Sequence, residues 1–320
     1  MKAMAQKSWA RGEQLVMTEL PDPTPREGEV RVRVKAAGVN PVDWKMRTFG
    51  PLRLAARFIG PPPPIVVGID FMGIVDAVGA GVTAVAIGDR VAGGTMFSRR
   101  QRGSAADTVC VRDDQLVKVP ANVPDEVAGC LAVAGATAKM SLVDLGKLPR
   151  GGSLLVLGAS GGVGQLIVRL ARHLADATVT GVCSAKNVEL VAAFGCAHVI
   201  DYGAGDALSQ AKAFGPFDVV VDCAGGYDGF ACRRLLKAGG RHVVVAGDTP
   251  GAALQVLVPP FSTKFVLGMP MAANLQPVMD ALAAGALSIP IAERFPLIDI
   301  EKAHALSQTG RMTGKIVLIP

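Results

Sequence analysis

The residues whose types and spacing point most directly to chemistry lie between Gly151 and Gln165, where Gly-Gly-Ser-Leu-Leu-Val-Leu-Gly-Ala-Ser-Gly-Gly-Val-Gly-Gln sets an apolar run between glycines. Ala159-x-Gly161-x-x-Gly164 has the spacing of a dinucleotide fingerprint with alanine in its first slot. Gly158-x-x-Gly161-x-x-Gly164 describes it equally well. Such glycines permit a tight turn, let the backbone approach a pyrophosphate and allow a helix to pack closely on its strand, while free N–H groups at the helix start face the anion. Ala159, Ser160, Gly161, Gly162, Val163 and Gly164 are therefore candidate cofactor contacts. The same spacing also describes a purely structural strand-to-helix turn.

A second feature follows 20 positions after Gly164, where the apolar run Thr178 to Cys183 ends at Ser184-Ala185-Lys186-Asn187. NAD-selective proteins of this pattern place an Asp or Glu here to accept hydrogen bonds from the ribose 2′-hydroxyl. This chain offers a hydroxyl, Ser184, and an ammonium, Lys186, both of which can donate to a 2′-phosphate. NADPH is thus the expected cofactor.

The elements that must hold these residues are legible as alternating strands and helices. Leu154 to Leu157 is short, apolar and bounded by glycines, as suits a parallel strand covered on both faces. From Gly162 the period becomes helical, with Val163, Leu166, Ile167, Leu170 and Ala171 on one face. Strands are expected at 178–183, 198–202, 217–223 and 241–247, with helices at 188–194 and 230–238, which together make a doubly wound sheet. Segment 265–269 adds an edge strand, 275–284 a helix and 314–319 a final strand. Before this region the chain is β-rich: residues 29–36 alternate polar and apolar, and short strands with glycine turns span 68–91. The composition changes near Pro124, and 125–145 reads as one helix containing the small-residue run 134–138. The expected division is therefore 1–123, 124–267 and 268–320, the outer two belonging to one domain.

With 320 residues, 50% hydrophobic and 19% charged, the chain has the balance of a globular protein with room for about two domains. Its longest charge-free stretch, 151–168, is the glycine turn itself, so no membrane partner is expected. The first residues lack the apolar core of a secretory signal. Six scattered cysteines without a C-x-x-C pair suit free thiols in a reducing, cytoplasmic setting. Net charge is +6, but the cations form no tract and aromatics are 5%, so nucleic acid is not an expected partner. One asymmetry stands out: between Asp43 and Asp70 lie Lys45, Arg47, Arg53 and Arg57 and no acid. It reads either as a solvated face or as an attractor of an anionic substrate or cofactor.

Four motifs in order, Ala36-Ala37-Gly38-Val39-Asn40-Pro41-Val42-Asp43, Gly68-x-Asp70-x-x-Gly73 to Gly88-Asp89-Arg90-Val91, Ala159-Ser160-Gly161-Gly162-Val163-Gly164 and Gly314-Lys315-Ile316-Val317, resemble the medium-chain dehydrogenase/reductase superfamily. Within it, the match is to zinc-free quinone oxidoreductases and enone reductases, over nearly the whole chain. The resemblance implies an α/β protein in which a GroES-like β-rich catalytic domain is interrupted by a Rossmann domain, with the active cleft between them. It implies hydride transfer from the nicotinamide of NADPH to a quinone or to the β-carbon of an α,β-unsaturated carbonyl, and a homodimer.

Zinc-dependent relatives carry cysteine, histidine and glutamate where this chain has Asn40, Ile69 and Asp70, so no metal is expected. The family likeness places Thr137 beside the nicotinamide and Tyr202 against the 2′-phosphate, with Gly247 and Lys315 among the cofactor contacts. The family tyrosine after Asn-x-x-Asp is missing; Trp44-Lys45-Met46 fills its place, which leaves Asn40 and Lys45 as catalytic candidates. Two rivals stay open: an enoyl-thioester reductase that uses the basic 45–57 stretch to dock its carrier, and a non-catalytic NADPH-binding protein of the crystallin or sensor kind.

Overall fold

The fold is taken from a computed structural model, which describes every residue except Phe49, residues 246–262 and Arg311. The chain forms two compact units: residues 1–136 with 269–283 and 288–320, and residues 137–268 with 284–287.

The first unit is built on antiparallel strands, apart from the parallel pair that closes its larger sheet at one edge. β1 (Lys2–Gln6), β2 (Val16–Glu19) and β4 (Ile65–Val66) form a three-stranded sheet in the order β2-β1-β4. β3 (Glu29–Val39), β5 (Asp70–Val78), β6 (Arg90–Gly94), β7 (Thr108–Arg112), β8 (Leu116–Lys118), β15 (Ile291–Pro296) and β16 (Lys315–Ile319) form the larger sheet. Its order is β15-β16-β3-β5-β6-β8, with β7 also on β3. The alternation expected at the start of β3 is met: Val30, Val32 and Val34 enter the core with Phe71, Val75 and Val91, while Arg31, Arg33 and Lys35 face outward. Helices Pro41–Thr48 and Gly50–Ile59 follow β3, a region for which the sequence suggested no helix.

The second unit is a six-stranded parallel sheet, β9 (Ser153–Leu157), β10 (Thr178–Cys183), β11 (His198–Asp201), β12 (Phe217–Asp222), β13 (Leu236–Val244) and β14 (Thr263–Phe265), ordered β11-β10-β9-β12-β13-β14. This is the doubly wound arrangement expected. Helices Gly164–Ala175 and Val188–Ala193 carry the chain from β9 to β10 and from β10 to β11. Leu155, Leu157, Val182, Ile200, Phe217 and Val220 pack into one core cluster. No helix among the described residues is long and apolar enough to cross a membrane.

Three local expectations change. Helix Gly229–Arg233 is shorter than predicted and β13 starts earlier, because Leu236 already pairs with Phe217. The edge strand lies at Thr263–Phe265, ahead of 265–269, and the Gly247 contact falls outside the described residues. The single helix at 125–145 is broken into Asp125–Ala128, Ala132–Lys139 and a π-helical turn at Met140–Leu145. Continuous α-helix would need Val133 N–H on the Gly129 carbonyl. Instead Gly129 O accepts from Gly38 N at 2.8 Å, and Val133 N donates to Asp70 Oδ1 at 2.8 Å. Both ends of that helical bond are claimed by the β-sheet. Residues 125–136 of this segment belong to the first compact unit and 137–145 to the second.

The same contact makes Gly38 sensitive to any side chain. A Cβ there would sit 2.7 Å from Gly129 O and 2.8 Å from Cys130 Cα, both backbone atoms that cannot step aside. Gly38→Ala is expected to destabilise the fold by about 2 kcal/mol or more. Equilibrium chemical unfolding checks this, and unaltered stability would show that the 129–133 break is not held by β3.

Candidate active site

In the second unit the glycine turn is shaped as the fingerprint requires. Gly158 has φ +82°, a conformation that favours glycine, and the amides of Gly158 and Ala159 both donate to Val182 O of the neighbouring strand, at 3.0 and 2.9 Å. At Gly164, where the helix begins, a Cβ would meet Gly158 O at 2.2 Å. The third glycine is thus required for helix and strand to approach. Ser160, Gly161, Gly162 and Val163 are only half-buried above this turn. They head a 12-residue helix in which Gln165 N and Ile167 N already donate to Gly161 O and Val163 O, and whose dipole favours an anion at this end.

Strand register brings the second group to the same edge. β9, β10 and β11 are neighbouring and parallel, and Cys183 pairs with Asp201, so Ser184 and Tyr202 each follow the carboxyl end of their strand. Lys186 is exposed on the 3₁₀ turn Ala185–Asn187, and Tyr202 is 55% exposed on the turn Tyr202–Ala204. Carboxyl ends of parallel strands are where such folds bind ligands. Three residues here escaped the sequence reading. Asn187 Nδ2 bridges Ser160 Oγ and Ser184 Oγ at 3.1 and 3.3 Å. Asp201 adds a carboxylate, its Oδ1 accepting from Gly203 N at 2.9 Å. Asp222, at the end of β12, accepts from Ala224 N and Gly225 N and shapes the loop beside Gly158.

Of the other candidates, Asn40, Lys45 and Lys315 lie in the first unit and Thr137 at the start of the second, and the structure gives them varied surroundings. Ile316 pairs with Val39 across antiparallel β16 and β3, which sets Lys315 opposite Asn40. Lys315 is 6% exposed, and its ammonium donates to Asn40 Oδ1 and to Val39 O. Lys315, expected among the cofactor contacts, thus has its ammonium bonded within the first unit. Asn40, 1% exposed, holds this ammonium, while its backbone N–H donates to Asp43 Oδ2 at 2.7 Å. Lys45 stands apart from this group, half-buried, with its ammonium 5.5 Å from the Trp44 ring centroid. Thr137 is buried in helix Ala132–Lys139.

Asp70 completes the buried group. Burial raises its pKa, with the Lys315 charge and the Asn40 side chain working against that rise. Asn40 Nδ2, Asp43 Oδ1 and Asp70 Oδ2 nevertheless make no geometrically sound hydrogen bond. A zinc ion would need three or four N, S or O ligands converging here; a carboxamide, two carboxyls and an ammonium do not fit one. Among the described residues no group of three His, Cys, Asp or Glu could hold a metal.

Much of the acid-free basic stretch is also structural. Arg47 reaches Glu301 Oε1 at 2.7 Å and Glu13 O at 2.9 Å, and Arg53 donates to Trp9 O at 2.7 Å. Two of its four cations therefore tie the unit together, and one of them, Arg47, is paired with an acid.

Burial pushes the Asp43 carboxyl up to about 8, with the Asn40 N–H and the Lys315 charge opposing and the Asp70 charge reinforcing. A group that holds its proton more tightly when folded contributes stability that is complete below its unfolded pKa and is lost as pH rises through the folded one. Between about pH 4 and about pH 8 the stability should fall by up to about 1.4 kcal/mol per pH unit from this group, and level off above that. Buried thiols such as Cys130, raised to about 12 by burial, are common to wild type and variant, so a melting-temperature profile of Asp43→Asn against wild type isolates the carboxyl. The variant should lose this part of the slope; parallel profiles would mean that Asp43 is already ionised at neutral pH.

Comparison with known proteins agrees with this architecture. The model of the alcohol dehydrogenase GroES-like domain matches residues 26–121, and that of the zinc-binding dehydrogenase family matches residues 194–318. The chloroplast envelope quinone oxidoreductase homolog of Arabidopsis thaliana is 32% identical over 100% of this chain and 98% of its own length. The 2-methylene-furan-3-one reductase of Solanum lycopersicum is 31% identical over 93% of this chain and 73% of its own. The solved quinone oxidoreductase from Coxiella burnetii matches with a TM-score of 0.87 at 28% identity, covering 100% of this chain and 99% of that one. The chain belongs to the medium-chain dehydrogenase/reductase superfamily, in its quinone oxidoreductase branch, a family that works with a nicotinamide cofactor.

Proposed function

We propose that this protein is an NADPH-dependent, zinc-independent reductase that transfers hydride to quinones or to the conjugated double bond of α,β-unsaturated carbonyls. The observation that carries the cofactor choice is the carboxyl end of β10, where Ser184 and Lys186 stand in place of an acid. Relatives named as a quinone oxidoreductase and as a 2-methylene-furan-3-one reductase support the substrate class.

When bound, the dinucleotide supplies the hydride. The chain's own residues bind and orient it: the turn 159–164 offers first-turn amides to the pyrophosphate, Ser184, Lys186 and Tyr202 take the 2′-phosphate, and Thr137 borders the nicotinamide. Reduction of a conjugated carbon–carbon bond makes lighter demands than reduction of an isolated ketone, because the developing enolate can be held by hydrogen-bond donors and protonated by water. Lys45 is the candidate donor from the chain. The amide of Asn40 acts further back, by holding the Lys315 ammonium beneath the turn that starts helix Pro41–Thr48. Free thiols fit a reducing compartment, and we place the protein in the cytoplasm.

We further propose a homodimer. β14 is the edge of the parallel sheet, no strand among the described residues pairs with its outer side, and Phe265 and Leu267 beside it are 41% and 65% exposed. Small-angle scattering at micromolar protein should return twice the chain mass, and a monomer mass would overturn this.

For the reaction, purified protein should oxidise NADPH with a quinone and an enone as acceptors and keep that activity after chelator treatment. Lys186→Ala should weaken NADPH binding roughly ten- to a hundredfold and leave NADH nearly unchanged. Wild-type binding of NADH as tight as NADPH, equal losses for both cofactors, or chelator-sensitive turnover with bound zinc would each defeat the proposal.

A further inference from the structure

Two serine hydroxyls at the carboxyl edge of the parallel sheet converge on one carboxamide. Asn187 Nδ2 lies 3.1 Å from Ser160 Oγ, in the glycine turn after β9, and 3.3 Å from Ser184 Oγ, at the end of β10. An amide nitrogen can only donate, so both serine oxygens are acceptors here. Each hydroxyl carries a single hydrogen, which is left to point at some other acceptor. Both serines are half-buried, open on the side where the strands end, and Lys186 is exposed between Ser184 and Asn187.

We propose that Asn187 is a positioning residue for cofactor selectivity: by donating to Ser160 and Ser184 it turns both hydroxyls into donors toward a phosphate monoester on the ribose 2′ position. The inference rests on the NADPH reading above and adds to it the device that orients the hydroxyls. It joins two turns that belong to different strand–helix connections, so the glycine turn and the end of β10 present their donors as one rigid set. A carboxylate of the same shape would reverse the polarity. It could only accept, so both hydroxyls would turn inward to it, and its charge would repel the phosphate. The backbone bond from Asn187 N to Ser184 O, at 2.8 Å, is open to any replacement and preserves the local turn.

The test is calorimetric titration of the full chain and its Asn187→Ala and Asn187→Asp variants with adenosine 2′,5′-bisphosphate and with adenosine 5′-monophosphate, neither of which undergoes reaction. Wild type should prefer the bisphosphate. Asn187→Ala should lower its affinity by about five- to tenfold and Asn187→Asp by about a hundredfold, both leaving the monophosphate within about twofold. Retention of the wild-type preference in Asn187→Asp would overturn the role of Asn187 while leaving the NADPH reading intact. Equal losses for both ligands would likewise overturn it, as the mark of a merely structural residue. A wild type without preference would instead overturn the NADPH reading itself.

Discussion

Four polar side chains buried together, Lys315, Asn40, Asp43 and Asp70, tie the first unit to itself. They come from the start of β16, the turn after β3, helix Pro41–Thr48 and the start of β5; Lys315 bonds Asn40, Asn40 N bonds Asp43, and Asp70 bonds Val133 N. A buried ammonium without an anionic or polar partner would cost several kcal/mol, and so would a second ionised carboxylate at the same place. The arrangement gives the ammonium an amide oxygen and a carbonyl, and burial raises the pKa of the Asp43 carboxyl to about 8. Removing Asn40 would leave the Lys315 ammonium with only the Val39 carbonyl, so β16 and the turn after β3 must come together.

The second unit depends on a steric constraint of a different kind. Its sheet and first helix approach closely enough that Gly164 faces the Gly158 carbonyl and Gly181 faces Ala159, Val191 and Cys196. That approach puts a helix N-terminus directly over the end of β9. Parallel pairing then aligns the ends of β10 and β11 beside it, so Ser160, the Ser184–Lys186 pair and Tyr202, from three separate connections, come to one edge. The same geometry brings Asp201 to that edge, where its bond to Gly203 N occupies one of its oxygens.

Much of this was legible in the chain because it rests on local rules. Period-two alternation in β3, the apolar run of β9, the change to helical period after Gly162 and the strand at 178–183 are all properties of neighbouring residues, and the structure repeats them with shifts of a few residues at most. The glycine fingerprint was readable because steric exclusion of a Cβ leaves few substitutes. The missing acid after β10 was readable for the same reason: its position relative to the glycines is set by one strand–helix–strand unit.

What sequence alone determined, then, was the alternation of elements, the glycine turn and the identity of the residues at strand ends, since these depend on backbone conformation and on spacing within a single connection. Only the tertiary structure decided where hydrogen bonds go when two elements compete for the same group. The helix expected at 125–145 has an unobjectionable helical sequence, yet it breaks because Gly38 and Asp70, far away in the chain, take the Gly129 carbonyl and the Val133 amide. Nothing in the local pattern around Lys315 names Asn40 as its partner, yet the antiparallel register of β16 on β3 sets the two side by side. Asn187 showed no signal at all, because its significance lies in reaching two hydroxyls on different turns, a distance that exists only once β9 and β10 lie side by side. Long-range partners change a residue's occupation without changing its local propensity, and local pattern cannot report them.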